Sequence, residues 1–272
     1  MTIDIISRGK KSLLPMLNRA GKEVYTFKEI CKLSGLSGSY ARKVVFQLEK
    51  FNRLVRLEKG KYLYVPEGFE KNWSGNSLLI ASRLVYPYAI SYWTALNHFQ
   101  FTEQIPSTVF VQTTARKFHP EIEILGVKYK FVTVNKRKYF GVINIWEGPH
   151  KIQITDKEKT IVDCLDYPEY CGGIVEAVKG LDTGFKNKEL DLSKLIKYAK
   201  RLANKTVLKR LGYLITLLGI NATAKQINEI TAGLGQGYSL FDPSHPITGK
   251  LDSKWKLKIN IPPDTLTEWK AS

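Results

Sequence analysis

The 272-residue sequence predicts an α+β fold: an N-terminal winged helix-turn-helix followed by a C-terminal domain of mixed sheet and helices. Three observations predict it. Residues 26–65 run in the order helix, tight turn, helix, short basic hairpin. From Ser107 the apolar residues alternate as they do in half-buried strands, and from Lys157 they return to helical spacing. The expected boundaries are 1–68 for the first domain and 77–272 for the second, with a candidate further division near 185 into a sheet-rich part and a helical basic part. A chain of this length exceeds what one core usually serves.

The elements follow in order. Residues 5–20 carry Leu13, Leu14, Leu17 and Ala20 on one helical face, with Pro15 inside the segment. Thr26 and Glu29 form a capping-box pattern ahead of a helix whose apolar stripe is Phe27, Ile30 and Leu33. Gly35 supplies the backbone freedom for the turn. The next helix starts near Ser37 and is expected to bury Ala41, Val44, Val45 and Leu48, leaving Ser39, Arg42, Lys43 and Gln47 outward. Leu54 to Leu57 and Lys61 to Val65 pair around Lys59-Gly60. Pro66-Glu67-Gly68 ends the wing, and Lys71 to Asn76 reads as a linker.

Helical patterns cover Ser77 to Leu84 and Ser91 to His98, the second with a serine cap. Strands are expected over 107–114, 121–125, 127–134 and 139–148, and at Ile152-Gln153-Ile154. Helices follow at Lys157–Leu165, capped by Asp156, then at Ile174–Leu181, Leu190–Leu202, Thr206–Leu218 and Thr223–Ala232. A short strand at Lys256–Ile261 closes the proline-bearing tail. Trp93, Trp146, Trp255 and Trp269 read as packing residues, and Trp73 as a linker residue that docks the first domain on the next.

Charge narrows the function class. The net charge is +17, unevenly distributed. Residues 1–66 hold 14 Lys+Arg against 5 Asp+Glu, residues 67–184 hold 13 against 13, and residues 185–272 hold 15 against 7. Basic ends attract a phosphate backbone through counterion release; scattered lysines also simply keep a protein soluble. Joined to the helix-turn-helix pattern, the charge points to double-stranded DNA as a partner. No apolar run approaches the length of a membrane span and no signal-peptide core opens the chain. Three cysteines give no disulfide framework. A cytoplasmic location without membrane contact is expected.

The candidate DNA-binding residues are Ser37, Ser39, Tyr40, Arg42, Lys43, Gln47, Lys59 and Lys61. Arginine suits the paired acceptors of guanine and glutamine the donor and acceptor of adenine, so Arg42 and Gln47 are the base-reading candidates. Ser37, Ser39 and Tyr40 sit at the helix start, where hydroxyls and amides hold phosphate. Tyr40 reads equally as packing. Lys59 and Lys61 flank the wing turn. A second basic surface is expected from Lys197, Lys200, Arg201, Lys205, Lys209 and Arg210, with the outer face of a helix as the competing reading. Lys128, Lys130, Lys136, Arg137 and Lys138 alternate along a hairpin, as the polar side of any half-buried strand does.

Catalysis is not expected. Asp156, Glu158, Asp163 and Asp166 lie close in sequence, but the acid and lysine spacing of a metal-dependent nuclease is absent. Gly38-Ser39 is not followed by the paired acids of a nucleotidyltransferase. The four histidines are isolated, so no metal site and no cofactor are expected, and Cys164 reads as a small buried residue.

Four stretches also resemble a known family. SYWTALNHFQFTEQIP at 91–106, VFVQTT at 109–114, TDKEKTIVDCLDYPEYCGGIVEAVKGL at 155–181 and KRLGYLITLLG at 209–219 are similar to the AbiEi family, the antitoxins of type IV toxin–antitoxin systems. They fall in that family's order after an N-terminal winged helix. The resemblance implies that the winged domain binds operator inverted repeats in the protein's own promoter and represses the operon. It implies further that the C-terminal part counteracts a cognate nucleotidyltransferase-like toxin, either directly or only functionally. The resemblance implies domain roles and no individual antitoxin residues. Two other classes stand beside it: a winged-helix regulator with a ligand-sensing C-terminal domain and no toxin, and a nucleic-acid-processing enzyme relying on Asp156 or Asp163.

Overall fold

The structure, a computed structural model, describes residues 10–66, 77–148 and 150–270. Residues 5–9 of the first expected helix, and the linker with Trp73, lie outside them. The protein is a mixed α+β fold of two compact units, residues 1–85 with 122–129, and residues 86–121 with 130–272.

The first unit begins with α1 (Lys10–Ala20), β1 (Val24–Thr26), α2 (Phe27–Ser34) and α3 (Gly38–Lys50). Strands β2 (Leu54–Glu58) and β3 (Lys61–Tyr64) and helix α4 (Ser77–Leu84) follow. Both partners of the capping box form at α2: the Glu29 amide donates to the Thr26 hydroxyl, and the Thr26 amide donates to the Glu29 carboxylate at 2.7 Å. A hydrogen bond from Lys22, with those from Thr26, holds the Glu29 carboxyl down to about 2. Gly35 ends α2 in the left-handed region, at φ 66°, where a side chain would be strained. The three strands form an antiparallel sheet in the order β1-β3-β2.

Leu13 and Leu17 from α1, Ile30 from α2, and Val44, Val45 and Leu48 from α3 make the core of this unit with Tyr25, Leu54, Tyr62 and Tyr64. Tyr25 is fully buried, and its hydroxyl donates to the Leu17 carbonyl, so the polar tip costs little. Two expected core residues are not in it. Ala20, in the last turn of α1, and Leu33, in the last turn of α2, are both exposed.

A six-stranded sheet runs in the order β6-β7-β5-β4-β9-β8, of which β4, β5, β8 and β9 belong to the second unit. Its members are β4 (Ala89–Ile90), β5 (Thr108–Thr113), β6 (Glu121–Ile124), β7 (Val127–Thr133), β8 (Val142–Glu147) and β9 (His150–Thr155). Helices α5 (Tyr92–His98), α6 (Lys157–Asp166), α7 (Ile174–Lys186), α8 (Leu192–Leu202), α9 (Lys205–Leu218) and α10 (Ala224–Thr231) follow the chain around it. Ser91 occupies the cap position of α5, but its hydroxyl makes no capping bond. Asp156 does cap α6, accepting from the Lys159 amide at 2.8 Å. A small sheet in the order β10-β12-β11 ends the chain, with β10 (Ser239–Leu240), β11 (Lys250–Asp252) and β12 (Leu257–Ile259). Trp255 from this tail packs on α9 at Gly212, where even one side-chain carbon would overlap the indole ring. Trp146 corrects another expectation. It lies on the edge strand β8 and is 70% exposed, so it does not pack in the core.

Every residue of α6 from Glu158 to Asp166 is buried, although the helix alternates charge along its length. Each charge has a nearby partner, the condition under which burial is tolerated. Glu158 accepts from Lys194 at 2.7 Å, Asp156 accepts from Tyr198 at 2.9 Å, and Asp166 accepts from Lys138 and from Asn204 at 2.6 Å. Asp163 pairs with the fully buried Lys159 and accepts from Gln112 at 3.1 Å. Burial nevertheless raises the Asp163 carboxyl to about 6, against the pull of Lys159. Cys164 and Cys171 are buried free thiols.

Candidate nucleic-acid interface

Helix α3 is amphipathic in the simplest sense. Ala41, Val44, Val45 and Leu48 face the core, and they hold the helix so that the remaining positions point outward. Ser37, Ser39, Tyr40, Arg42 and Lys43 are exposed, Tyr40 at 43%, and Gln47 is half-buried. At 100° per residue, Ser39, Lys43, Phe46 and Lys50 form the outermost line, with Arg42 on one flank and Tyr40 and Gln47 on the other. Ser37 stands at the cap position without donating or accepting a capping bond. Its hydroxyl lies 3.4 Å from that of Ser39, leaving the first amides of α3 unsatisfied by that side chain. Among the described residues no carboxylate pairs with Arg42, Lys43 or Lys50. The Arg42 guanidinium lies over the Phe27 ring at 5.8 Å.

The β2–β3 hairpin turns at Lys59-Gly60, with Gly60 at φ 76°. Lys59 is exposed at the tip. Lys61 is half-buried, 3.2 Å from Glu58 and donating to the Arg83 carbonyl at 3.1 Å. Of the two expected wing residues, Lys59 therefore presents its charge to solvent and Lys61 is engaged within the unit.

The fold has a solved counterpart. The crystal structure of the RV2827C protein from Mycobacterium tuberculosis superimposes with a TM-score of 0.70 over 97% of this chain and 95% of that one, at 14% identity. No protein-family model matches the sequence, and no curated protein does either. At that identity the likeness concerns the fold alone.

The expected second basic surface is only partly on the outside. Lys197, Lys200, Arg201 and Lys205 are exposed, on α8 and at the start of α9. Lys200 pairs with Glu229 at 2.7 Å, and the Arg201 guanidinium lies over Phe140 at 4.1 Å. Lys209 and Arg210 are a correction: they are 3% and 4% exposed. Lys209 donates to the Gly237 carbonyl at 2.7 Å and to Ser239, while Arg210 donates to the carbonyls of Phe241, Leu165 and Leu240. The C-terminal segment covers this turn of α9, so both cations bind backbone acceptors instead of solvent. Burial lowers both groups below their usual ranges.

Phe46 and Lys50 belong to the outward face of α3, although the base-reading and phosphate-binding chemistry of the sequence pointed to neither. The signal was present in the spacing 39, 43, 46, 50, which keeps one line along a helix. Asp156 and Glu158 share Lys194, at 3.2 and 2.7 Å, whereas Asp163 pairs with Lys159 and Gln112 and Asp166 with Lys138 and Asn204, so the four carboxylates do not converge on one point. Among the described residues no group of three or more His, Cys, Asp or Glu side chains is arranged to hold a metal ion.

Proposed function

We propose that this protein is a winged-helix DNA-binding repressor that also serves as the antitoxin of a type IV toxin–antitoxin pair, as its resemblance to the AbiEi family implies. In this reading α2, its left-handed glycine turn and α3 are the helix-turn-helix, and the β2–β3 hairpin is the wing. Helix α3 enters the major groove with Arg42 and Gln47 at base edges. Ser37, Ser39, Lys43 and Lys59 fix the register on phosphate. The observation that carries the reading is the outward face of α3, where Arg42, Lys43 and Lys50 project without a carboxylate partner among the described residues. Lys197, Lys200, Arg201 and Lys205 are the remaining candidates for a second backbone contact.

A groove of about 580 Å³ lined by Tyr213, Leu251, Ile259, Ile261 and Pro262 favours a second reading, in which the C-terminal unit senses an apolar small molecule. One reporter assay separates the two. The DNA upstream of the gene drives a reporter in the presence of the protein, alone or with the product of an adjacent nucleotidyltransferase gene. The expected outcome is repression by the wild type, its loss in Arg42→Ala, and relief of toxin-induced growth arrest by the intact chain. Repression that responds to metabolites, with no rescue from the toxin, contradicts the antitoxin role. Absence of repression contradicts the repressor role.

A further inference from the structure

We infer that Phe46 reads sequence by packing on the 5-methyl group of a thymine in the major groove, with Lys43 and Lys50 on the flanking phosphates. This rests on the DNA-binding reading above and adds a base preference to it. Phe46 is 55% exposed at the centre of the outward line of α3, one turn from Lys43 and one turn from Lys50. The core face of the helix is complete without it. The Lys50 ammonium lies 4.9 Å from the centre of its ring, and among the described residues no carboxylate pairs with the neighbouring cations. The surface is therefore an apolar patch framed by positive charge.

The charge selects the occupant. An apolar protein partner would leave the lysines unpaired on burial, whereas a duplex offers phosphates on both sides of the groove. Within the groove the thymine methyl is the one apolar group among the donors and acceptors of the base edges, and an aromatic side chain is among the groups that contact it. Stacking on a base would need an unpaired strand. Phe51 is also exposed, but it follows the last residue of α3 and lies off this line.

The test uses the full chain and random-sequence duplexes, from which a preferred site is selected. Each thymine of that site is then replaced by deoxyuridine, which keeps the base-pairing edge and lacks the methyl group. For the wild type, one replacement is expected to weaken binding about fourfold, the worth of one buried methyl group. Phe46→Ala, at an exposed position, is expected to bind the thymine duplex as weakly as the deoxyuridine one. Arg42→Ala is expected to bind less tightly and still to distinguish the two. A selected site whose deoxyuridine forms all bind wild type and Phe46→Ala with unchanged ratios overturns the role of Phe46 and leaves DNA binding standing. A chain that binds no duplex overturns both.

Discussion

At the scale of single residues, the fold uses its charges in two different ways. Lys159 and Asp163 are buried one helical turn apart, and Asp163 also accepts from Gln112. Removing one partner of such a pair leaves an uncompensated charge, so Lys159→Met is expected to cost about 3–5 kcal/mol in denaturant unfolding. Adding Asp163→Asn removes the stranded charge and is expected to recover part of that loss. A single variant as stable as the wild type would mean that the pair contributes nothing. Arg42 and Lys43, by contrast, keep their charge in solvent. The amphipathic period made both sets visible as charged residues, but it could not separate them. Lys159 reads like any surface lysine until α6 is found covered on every side.

At the scale of elements, legibility followed local spacing. The boundaries of α2, α3 and the β2–β3 hairpin come from a capping box, two glycine turns and a 3.6-residue period, all written within a few residues of one another. Strand β1 carried no such mark: it has three residues, and its partner β3 lies well along the chain, at Lys61–Leu63. The same holds for β10, whose two residues pair in parallel with Leu257 and Lys258. That distant pairing is what buries the turn of α9 carrying Lys209 and Arg210, and it explains why helical spacing alone sends both to the surface. Arg210 joins α6 to the segment around β10 through carbonyls of both. Arg210→Leu is accordingly expected to lower stability by about 3 kcal/mol, because buried carbonyls lose a charged donor. Its DNA affinity below the melting temperature should be unchanged. An unaltered melting curve with weakened DNA binding would return Arg210 to the surface role.

At the scale of the whole molecule, the net charge of +17 is carried by the two ends of the chain, and residues 67–184 are balanced. Much of the charge in the second unit is consumed internally, as at Lys138, Lys194, Lys209 and Arg210. Net charge therefore overstates the surface available to a polyanion. In the DNA-binding reading proposed above, Lys43, Lys50 and Lys59 are the phosphate contacts of the first unit and Arg42 its base contact. The direct measurement is the affinity of the full chain for a duplex from its own upstream DNA as salt is raised, compared with Arg42→Ala/Lys43→Ala. With about three phosphates neutralised, by Lys43, Lys50 and Lys59, wild-type affinity should fall about fortyfold between roughly 50 and 200 mM salt. The double variant should bind more weakly with a shallower slope, by about one unit for each phosphate it no longer neutralises. Equal affinity and equal slope for the two proteins would contradict the assignment of α3 to the groove.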